Sequence, residues 1–275
     1  MNNLIKRIIT GIFYGGLVMG SIWSSPIFFF ALFFIFQFQC LSEFYQLANR
    51  ENILPYSFSG IFSSNLFFLS SVLCLYNLTS NYIYFLPALM LYIIFVESLY
   101  SHHIHPFSNI AFTVLGVFYL SLPFVCLNYM AFYPDSSFNS PLITGYLLLI
   151  WMYDSGSYLV GTIIGKHKLF ERISPNKTWE GLAGGSFICI CSSYFISLFI
   201  FELTLSQWFI ISLLIVVTGT YGDLAKSLLK RSVGVKDSGT ILPGHGGILD
   251  RLDSFLFSAP FVMAYLILIR YTIFQ

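Results

Sequence analysis

The chain has 275 residues, of which 57% are hydrophobic and only 9% are charged, and its mean hydropathy is +0.79. A soluble domain of this length cannot bury so much apolar surface, so the composition excludes a soluble protein and indicates an integral membrane protein. The formal net charge of +1 provides no global positive field and argues against nucleic acid as a partner, so an anionic partner must meet a local basic cluster.

Apolar segments of bilayer length recur along the chain and predict an all-α polytopic fold with about nine transmembrane helices. The first two spans and the eighth are short, and the first pair could instead form a re-entrant hairpin. We find no separate soluble domain and predict one integral membrane domain over residues 1–275. The predicted spans cover residues 8–23, 26–42, 58–76, 82–99, 108–131, 142–164, 181–202, 206–222 and 254–273.

The basic residues predict the orientation of these spans. With nine spans, twelve of the thirteen Lys and Arg residues fall on one side of the membrane, and only Arg270 breaks the pattern. The positive-inside rule then places the N-terminus and the basic loops in the cytoplasm. We expect a multi-pass protein of the inner (plasma) membrane.

One carboxylate lies inside the sixth predicted span, where Asp154 follows the apolar residues 147–153. An unpaired carboxylate in hydrocarbon costs about 2.5–3.5 kcal/mol on insertion scales, so Asp154 should face a wet cavity, an ion or a cationic side chain. We interpret Asp154 as a binding-site residue. Its pairing with Lys or Arg for helix packing is the structural alternative.

The loop at residues 165–181 is rich in phosphate-binding groups. Ser174, Lys177 and Thr178 supply hydroxyl and ammonium donors suited to phosphate, so we predict that they bind substrate. The two lysines at the start of the loop are equally well explained by the bias of any cytoplasmic loop towards Lys and Arg.

The densest charge lies at residues 223–253, which hold nine of the 25 Asp, Glu, Lys and Arg residues. Asp223 and Asp250 offer oxygen ligands of the kind that hold magnesium, which commonly takes one or two carboxylates and completes its shell with water and phosphate oxygens. If the eighth helix continues beyond its apolar stretch, Lys226 and Lys230 share a face. The other residues predicted to contact phosphate here are Arg231, Lys236, His245, Gly246, Gly247 and Arg251, the glycines through exposed backbone N–H groups.

These three segments together resemble the signature of the phosphatidate cytidylyltransferases, the CDP-diacylglycerol synthases. Residues 227–253 read Ser-Leu-Leu-Lys-Arg, four residues, Lys-Asp-Ser-Gly-Thr-Ile-Leu-Pro-Gly-His-Gly-Gly-Ile-Leu-Asp-Arg-Leu-Asp. The family's Asp-Thr-Gly-Ala-Tyr appears as Asp-Ser-Gly-Ser-Tyr at 154–158, and its Ser-Pro-Lys-Lys-Thr-Trp-Glu-Gly appears at 174–181 with Asn176 in place of one Lys. The resemblance covers roughly the C-terminal half, so we expect the catalytic region at about 142–275.

The resemblance implies that CTP and phosphatidic acid react at the bilayer surface to give CDP-diacylglycerol and pyrophosphate, with a required divalent cation. We expect Mg2+ on Asp223 and Asp250, while Lys226, Lys230 and Arg231 hold CTP or the lipid headgroup. Asp253, like Asp154, is a candidate to bind a second cation or to orient a lysine. The oligomeric state is left open, a homodimer included.

Three alternatives remain at this point. A transporter of an anionic solute would also carry intramembrane charge, but the charges cluster at one face and do not trace a path through the bilayer. Another lipid or polyprenol nucleotidyl- or phosphotransferase would use the same metal chemistry. The cluster His102-His103-x-His105 invites a zinc interpretation, although an interfacial loop is the simpler account.

Overall fold

The computed structural model describes residues 3–51, 53–134, 137–235, 238–239 and 246–273, and these contain nine α-helices. Each predicted span corresponds to one helix, so the all-α polytopic fold is confirmed. The helices are α1 (Asn3–Ser24), α2 (Pro26–Ala48), α3 (Ser57–Leu75), α4 (Phe85–Tyr100), α5 (Pro106–Met130), α6 (Ser140–Ile164), α7 (Trp179–Phe199), α8 (Leu205–Ser232) and α9 (Asp253–Ile273).

Helices α2 to α9 are long and apolar enough to cross a membrane, which makes eight candidate spans among the described residues. The third of these begins at Asn81, because a short 3-10 turn precedes α4. Helix α1 is 22 residues long but does not belong to this set. The protein is therefore a multi-pass membrane protein.

Helix α8 is longer than its apolar pattern predicts. The apolar stretch ends near residue 222, but the helix continues to Ser232. Leu, Ala, Lys and Arg in this extension are good helix formers, and the cations in the last turn interact favourably with the helix dipole. Lys226 and Lys230 therefore lie four residues apart on one helix, as the conditional prediction required.

The predicted loop between α6 and α7 is a small antiparallel hairpin. Strand β1 (Lys168–Phe170) pairs with strand β2 (Ser174–Thr178), with Lys168 opposite Thr178 and Phe170 opposite Ser174. The hairpin gives the polar residues of this segment a regular backbone.

The chain divides into two compact units, each of which is discontinuous in sequence. Unit 1 contains Met1–Tyr129 and Val233–Leu252, and unit 2 contains Met130–Ser232 and Asp253–Gln275. The connection between α8 and α9 thus belongs to the same unit as α1 to α4. The prediction of a single domain stays a prediction.

In unit 1, α2 packs against α1 and α3, and α3 packs against α4. The buried Tyr45 of α2 donates a hydrogen bond from its hydroxyl to the carbonyl of Thr113 over 2.9 Å. Its ring fills the space where a Cβ on Gly60 or Gly116 would lie, which explains glycine at both positions. The polar side chain of Gln37 is likewise buried and donates to a serine of α3.

In unit 2, glycines allow α6, α7, α8 and α9 to approach closely. A Cβ on Gly185 of α7 would lie 2.8 Å from the carbonyl oxygen of Tyr153 and 2.8 Å from the nitrogen of Ser157, both in α6. A Cβ on Gly222 of α8 would lie 2.9 Å from the carbonyl oxygen of Asp253. These close contacts between helices fix the positions of the helix segments that carry the acidic residues of unit 2.

Candidate functional site

The hairpin between α6 and α7 is anchored at its base by the first turn of α7. The carboxylate of Glu180 accepts hydrogen bonds from the backbone nitrogens of Lys166 and His167 over 3.1 and 3.2 Å, and Oε1 lies 2.5 Å from Nδ1 of His167. Thr178 is the N-cap of α7, since its hydroxyl accepts from the nitrogen of Gly181 over 3.1 Å. The sequence did not predict that Glu180 anchors the hairpin. Thr178 caps α7, and its contact with phosphate stays a prediction.

Strand β2 delivers Lys177 to a carboxylate of α8. The ammonium of Lys177 lies 2.5 Å from Oδ2 of Asp223, and these side chains are 26% and 30% exposed. The structure thus brings together two residues that the sequence placed in separate motifs. Ser174, at the other end of β2, is half-buried.

Among the described residues of this region, Lys226 is the most deeply buried cation. Its side chain is 6% exposed, and its ammonium forms an ion pair with Asp253 at the start of α9. Oδ1 of Asp223 lies 4.0 Å from the same ammonium. A buried ammonium is tolerated only when carboxylates compensate its lost hydration, so Lys226 and the two aspartates form one electrostatic unit.

Asp154 lies in the same region of unit 2, on a stretch of α6 that is continuous through it. Its Oδ1 accepts a hydrogen bond from the hydroxyl of Ser254 over 2.8 Å. Asp223, Asp253 and Lys177 are within electrostatic range. We call Asp154, Lys177, Asp223, Lys226 and Asp253 the lysine–aspartate cluster.

The lysine–aspartate cluster contains three aspartates and two lysines. Among the described residues, no three His, Cys, Asp or Glu side chains are arranged around one metal position. Magnesium commonly takes only one or two carboxylates, and Asp223, the one predicted metal ligand within the cluster, offers a ligand of that kind. His103, from the cluster that suggested zinc, packs edge-on against Tyr56 with ring centroids 6.0 Å apart.

Asp250, the second predicted metal ligand, belongs to unit 1. Its Oδ2 accepts hydrogen bonds from the nitrogen of Ser238 over 2.8 Å, from the hydroxyl of Ser238 over 3.0 Å and from the nitrogen of Gly247 over 3.2 Å. Because Asp223 belongs to unit 2, their joint coordination of one metal ion stays a prediction.

The structure adds one acidic residue that the sequence motifs do not contain. Glu43 of α2 is 2% exposed, and its carboxylate accepts hydrogen bonds from the nitrogens of Ile248 and Leu249 over 2.9 and 3.0 Å. It also accepts from the hydroxyl of Ser238 over 2.9 Å. The signal that could have found it is a carboxylate directly after an apolar span, since the second predicted span ends at residue 42.

The remaining predicted contacts are placed as follows. Lys230 and Arg231 lie in the last turn of α8, the first half-buried and the second exposed. Gly246 has a positive φ of 82°, which glycine adopts without strain, and Arg251 is exposed. Lys236 and His245 lie outside the described residues.

Comparisons with known proteins cover most of the chain. A model of the cytidylyltransferase family matches residues 5–269. A phosphatidate cytidylyltransferase of Staphylococcus haemolyticus (strain JCSC1435) is 41% identical over 180 residues, which are 65% of this chain and 67% of the relative. Proteins of the same name from Staphylococcus aureus (strain COL) and Staphylococcus epidermidis (strain RP62A) are 39% and 40% identical over 180 residues, with the same shares of each chain covered.

Proposed function

Because this chain belongs to the cytidylyltransferase family, we propose that it transfers CMP from CTP to phosphatidic acid, giving CDP-diacylglycerol and pyrophosphate in phospholipid biosynthesis. The observation that carries the proposal is the match over residues 5–269, together with relatives named for this reaction. The two lysines of the lysine–aspartate cluster support it, because two polyanionic substrates require compensating cations.

The chemistry requires no side-chain nucleophile. A phosphate oxygen of phosphatidic acid attacks the α-phosphorus of CTP, a new P–O bond forms, and the bond to the β-phosphate breaks with release of pyrophosphate. The attacking oxygen is already anionic, so catalysis depends on positioning and on charge neutralisation. Lys177 and Lys226 are suited to this task, since carboxylates hold their ammonium groups in place before substrate arrives.

We extend the proposal to Mg2+ as the cofactor, with Asp223 and Asp250 as its ligands. When bound, the ion would neutralise triphosphate oxygens and stabilise the pyrophosphate leaving group. Asp253 and Asp154 are then available to orient Lys226 and Ser254 or to hold a second cation. Lys230, Arg231 and Arg251 would contact phosphate groups of CTP or of the lipid.

The proposed location is the inner membrane, with the N-terminus and the site on the cytoplasmic side. CTP is water-soluble and phosphatidic acid lies in the bilayer, so the site must be reached from both phases. The bias of basic residues towards one set of connections supports this orientation. A homodimer stays a prediction.

The direct test uses the purified full chain in lipid vesicles with CTP, phosphatidic acid and magnesium. We expect pyrophosphate release and labelled CDP-diacylglycerol, both dependent on phosphatidic acid. Preferential transfer to a polyprenyl acceptor would instead indicate another nucleotidyl- or phosphotransferase. Solute flux without CTP, and no lipid product, would indicate a transporter.

A further inference from the structure

The only carboxylate of helix α2, Glu43, contacts the segment that carries Asp250, 195 residues or more along the chain. We infer that Glu43 is a positioning residue, which holds residues 246–250 in the conformation from which Asp250 acts. The inference rests on the proposed function, because it assigns to Glu43 a role in that reaction. Glu43 itself is buried behind the segment and is not placed in contact with substrate.

Both oxygens of the Glu43 carboxylate accept hydrogen bonds from the connection between α8 and α9. Oε1 accepts from the nitrogen of Ile248, and Oε2 accepts from the nitrogen of Leu249 and from the hydroxyl of Ser238. Two consecutive backbone N–H groups pointing at one carboxylate fix the course of the backbone there. A buried carboxylate needs hydrogen-bond donors, and these three donors lie on the connection that carries Asp250.

The glycines of the segment fit the same explanation. A Cβ on Gly239 would lie 3.0 Å from Oε1 of Glu43, and a Cβ on Gly247 would overlap Oε2 of Glu43. Glycine at 247 therefore admits the carboxylate of α2, which is a role different from the predicted close approach of a phosphate. The Gly-Gly pair that the sequence motif contains is shaped in part by a residue far outside the motif.

Ser238 links Glu43 to Asp250. Its hydroxyl oxygen lies 2.9 Å from Oε2 of Glu43 and 3.0 Å from Oδ2 of Asp250. A hydroxyl has one proton, so it donates to one of these carboxylates at a time. When Glu43 accepts that proton, Oδ2 of Asp250 still accepts from the nitrogens of Ser238 and Gly247.

Removing the carboxylate of Glu43 should therefore affect the reaction through Asp250. The dependence of turnover on Mg2+ concentration measures this effect. In Glu43→Gln, the amide keeps one acceptor but turns an NH2 group towards N–H donors that need an acceptor. We expect a decrease of about 10- to 100-fold in kcat or in apparent Mg2+ affinity, the range found for residues that orient metal ligands. Hydrogen exchange at the amides of Ile248 and Leu249 should become faster in the same variant.

Glu97→Gln is the matched control. Glu97 belongs to the same unit, lies in α4, is half-buried and accepts a hydrogen bond from the hydroxyl of Ser59 over 2.5 Å. It does not contact the Asp250 segment in the described part of the chain, so its variant should keep the wild-type Mg2+ dependence and the wild-type exchange at 248 and 249.

Ser238→Ala covers the case in which Glu43→Gln fails to insert. It removes the linking hydroxyl and keeps both backbone contacts of Glu43, so a weaker apparent Mg2+ affinity with normal insertion supports the inference. Wild-type kcat and Mg2+ dependence in Glu43→Gln, or in Ser238→Ala where Glu43→Gln does not insert, would overturn it. If the wild-type chain makes no CDP-diacylglycerol, the proposed function fails, and the exchange measurement alone decides whether Glu43 holds the segment.

Discussion

The ammonium of Lys177 lies 2.5 Å from a carboxylate oxygen of Asp223, which ties the β-hairpin after α6 to helix α8. The cation of one motif thus pairs with the carboxylate of another. A phosphate group or a metal ion that enters the site has to compete for one member of this pair. The ion pair therefore keeps both groups in place.

Lys177→Ala should reduce kcat/KM for CTP by about 10- to 100-fold, the value of one lost charge-assisted hydrogen bond. The measurement is initial-rate kinetics with CTP as the varied substrate and phosphatidic acid saturating. Lys168→Ala is the control, since Lys168 is exposed on the same hairpin and should leave kcat/KM within a factor of two or so. An unchanged kcat and an unchanged KM in Lys177→Ala would remove the assigned role.

Asp223→Asn and Asp250→Asn should each lower turnover by at least about 100-fold, the scale of losing one preorganised electrostatic group at a reaction centre. Both variants should still insert into the membrane, because an amide is nearly isosteric with a carboxylate. Asp135→Asn, on a connection that the sequence places on the opposite side of the membrane, serves as the control. Near-normal turnover in either test variant would contradict its assignment as a metal ligand.

Variants of Lys226 and Asp253 should change the stability of the fold and the turnover independently. Lys226→Met leaves a buried carboxylate without its cation, a change that costs about 3–5 kcal/mol, and should lower the midpoint of thermal unfolding in detergent. Adding Asp253→Asn removes the uncompensated charge and should restore most of that stability. Turnover should stay low in the double variant, because the cation is still missing.

Two results would contradict this account of the buried pair. A double variant no more stable than Lys226→Met would show that the ion pair is not what compensates the charge. A double variant with wild-type turnover would show that the ammonium of Lys226 is not needed for the reaction.

The spans could be predicted because apolar runs of bilayer length are a direct requirement of the membrane. The same measure does not give the end of α8, since hydropathy reports membrane thickness, whereas the helix continues through Lys226 and Lys230 as long as its residues favour helix. The hairpin was missed because strands of three and five residues are too short to show a clear alternation.

The candidate site could be predicted only where its residues form motifs. Lys177, Asp223 and Lys226 were found in this way, and the structure brings them into one cluster. Glu43 was missed because its partners lie 195 or more residues later, and a contact at that distance leaves no local pattern. A single carboxylate directly after an apolar span was the available signal, but it does not identify a partner.

The close packing of α7 against α6, next to the lysine–aspartate cluster, should depend on Gly185. In Gly185→Ala, the new Cβ would lie 2.8 Å from two backbone atoms of α6, the nitrogen of Ser157 and the carbonyl oxygen of Tyr153. Backbone atoms cannot rotate away, so α6 and α7 must separate, at a cost of about 1–3 kcal/mol in the free energy of unfolding. Thermal unfolding in detergent measures this cost.

Gly20→Ala in α1 is the control, because nothing lies within 4 Å of its Cβ and alanine favours helix, so its midpoint should stay equal or rise. Equal midpoints for Gly185→Ala and the wild-type chain would show that α6 and α7 do not need this close approach.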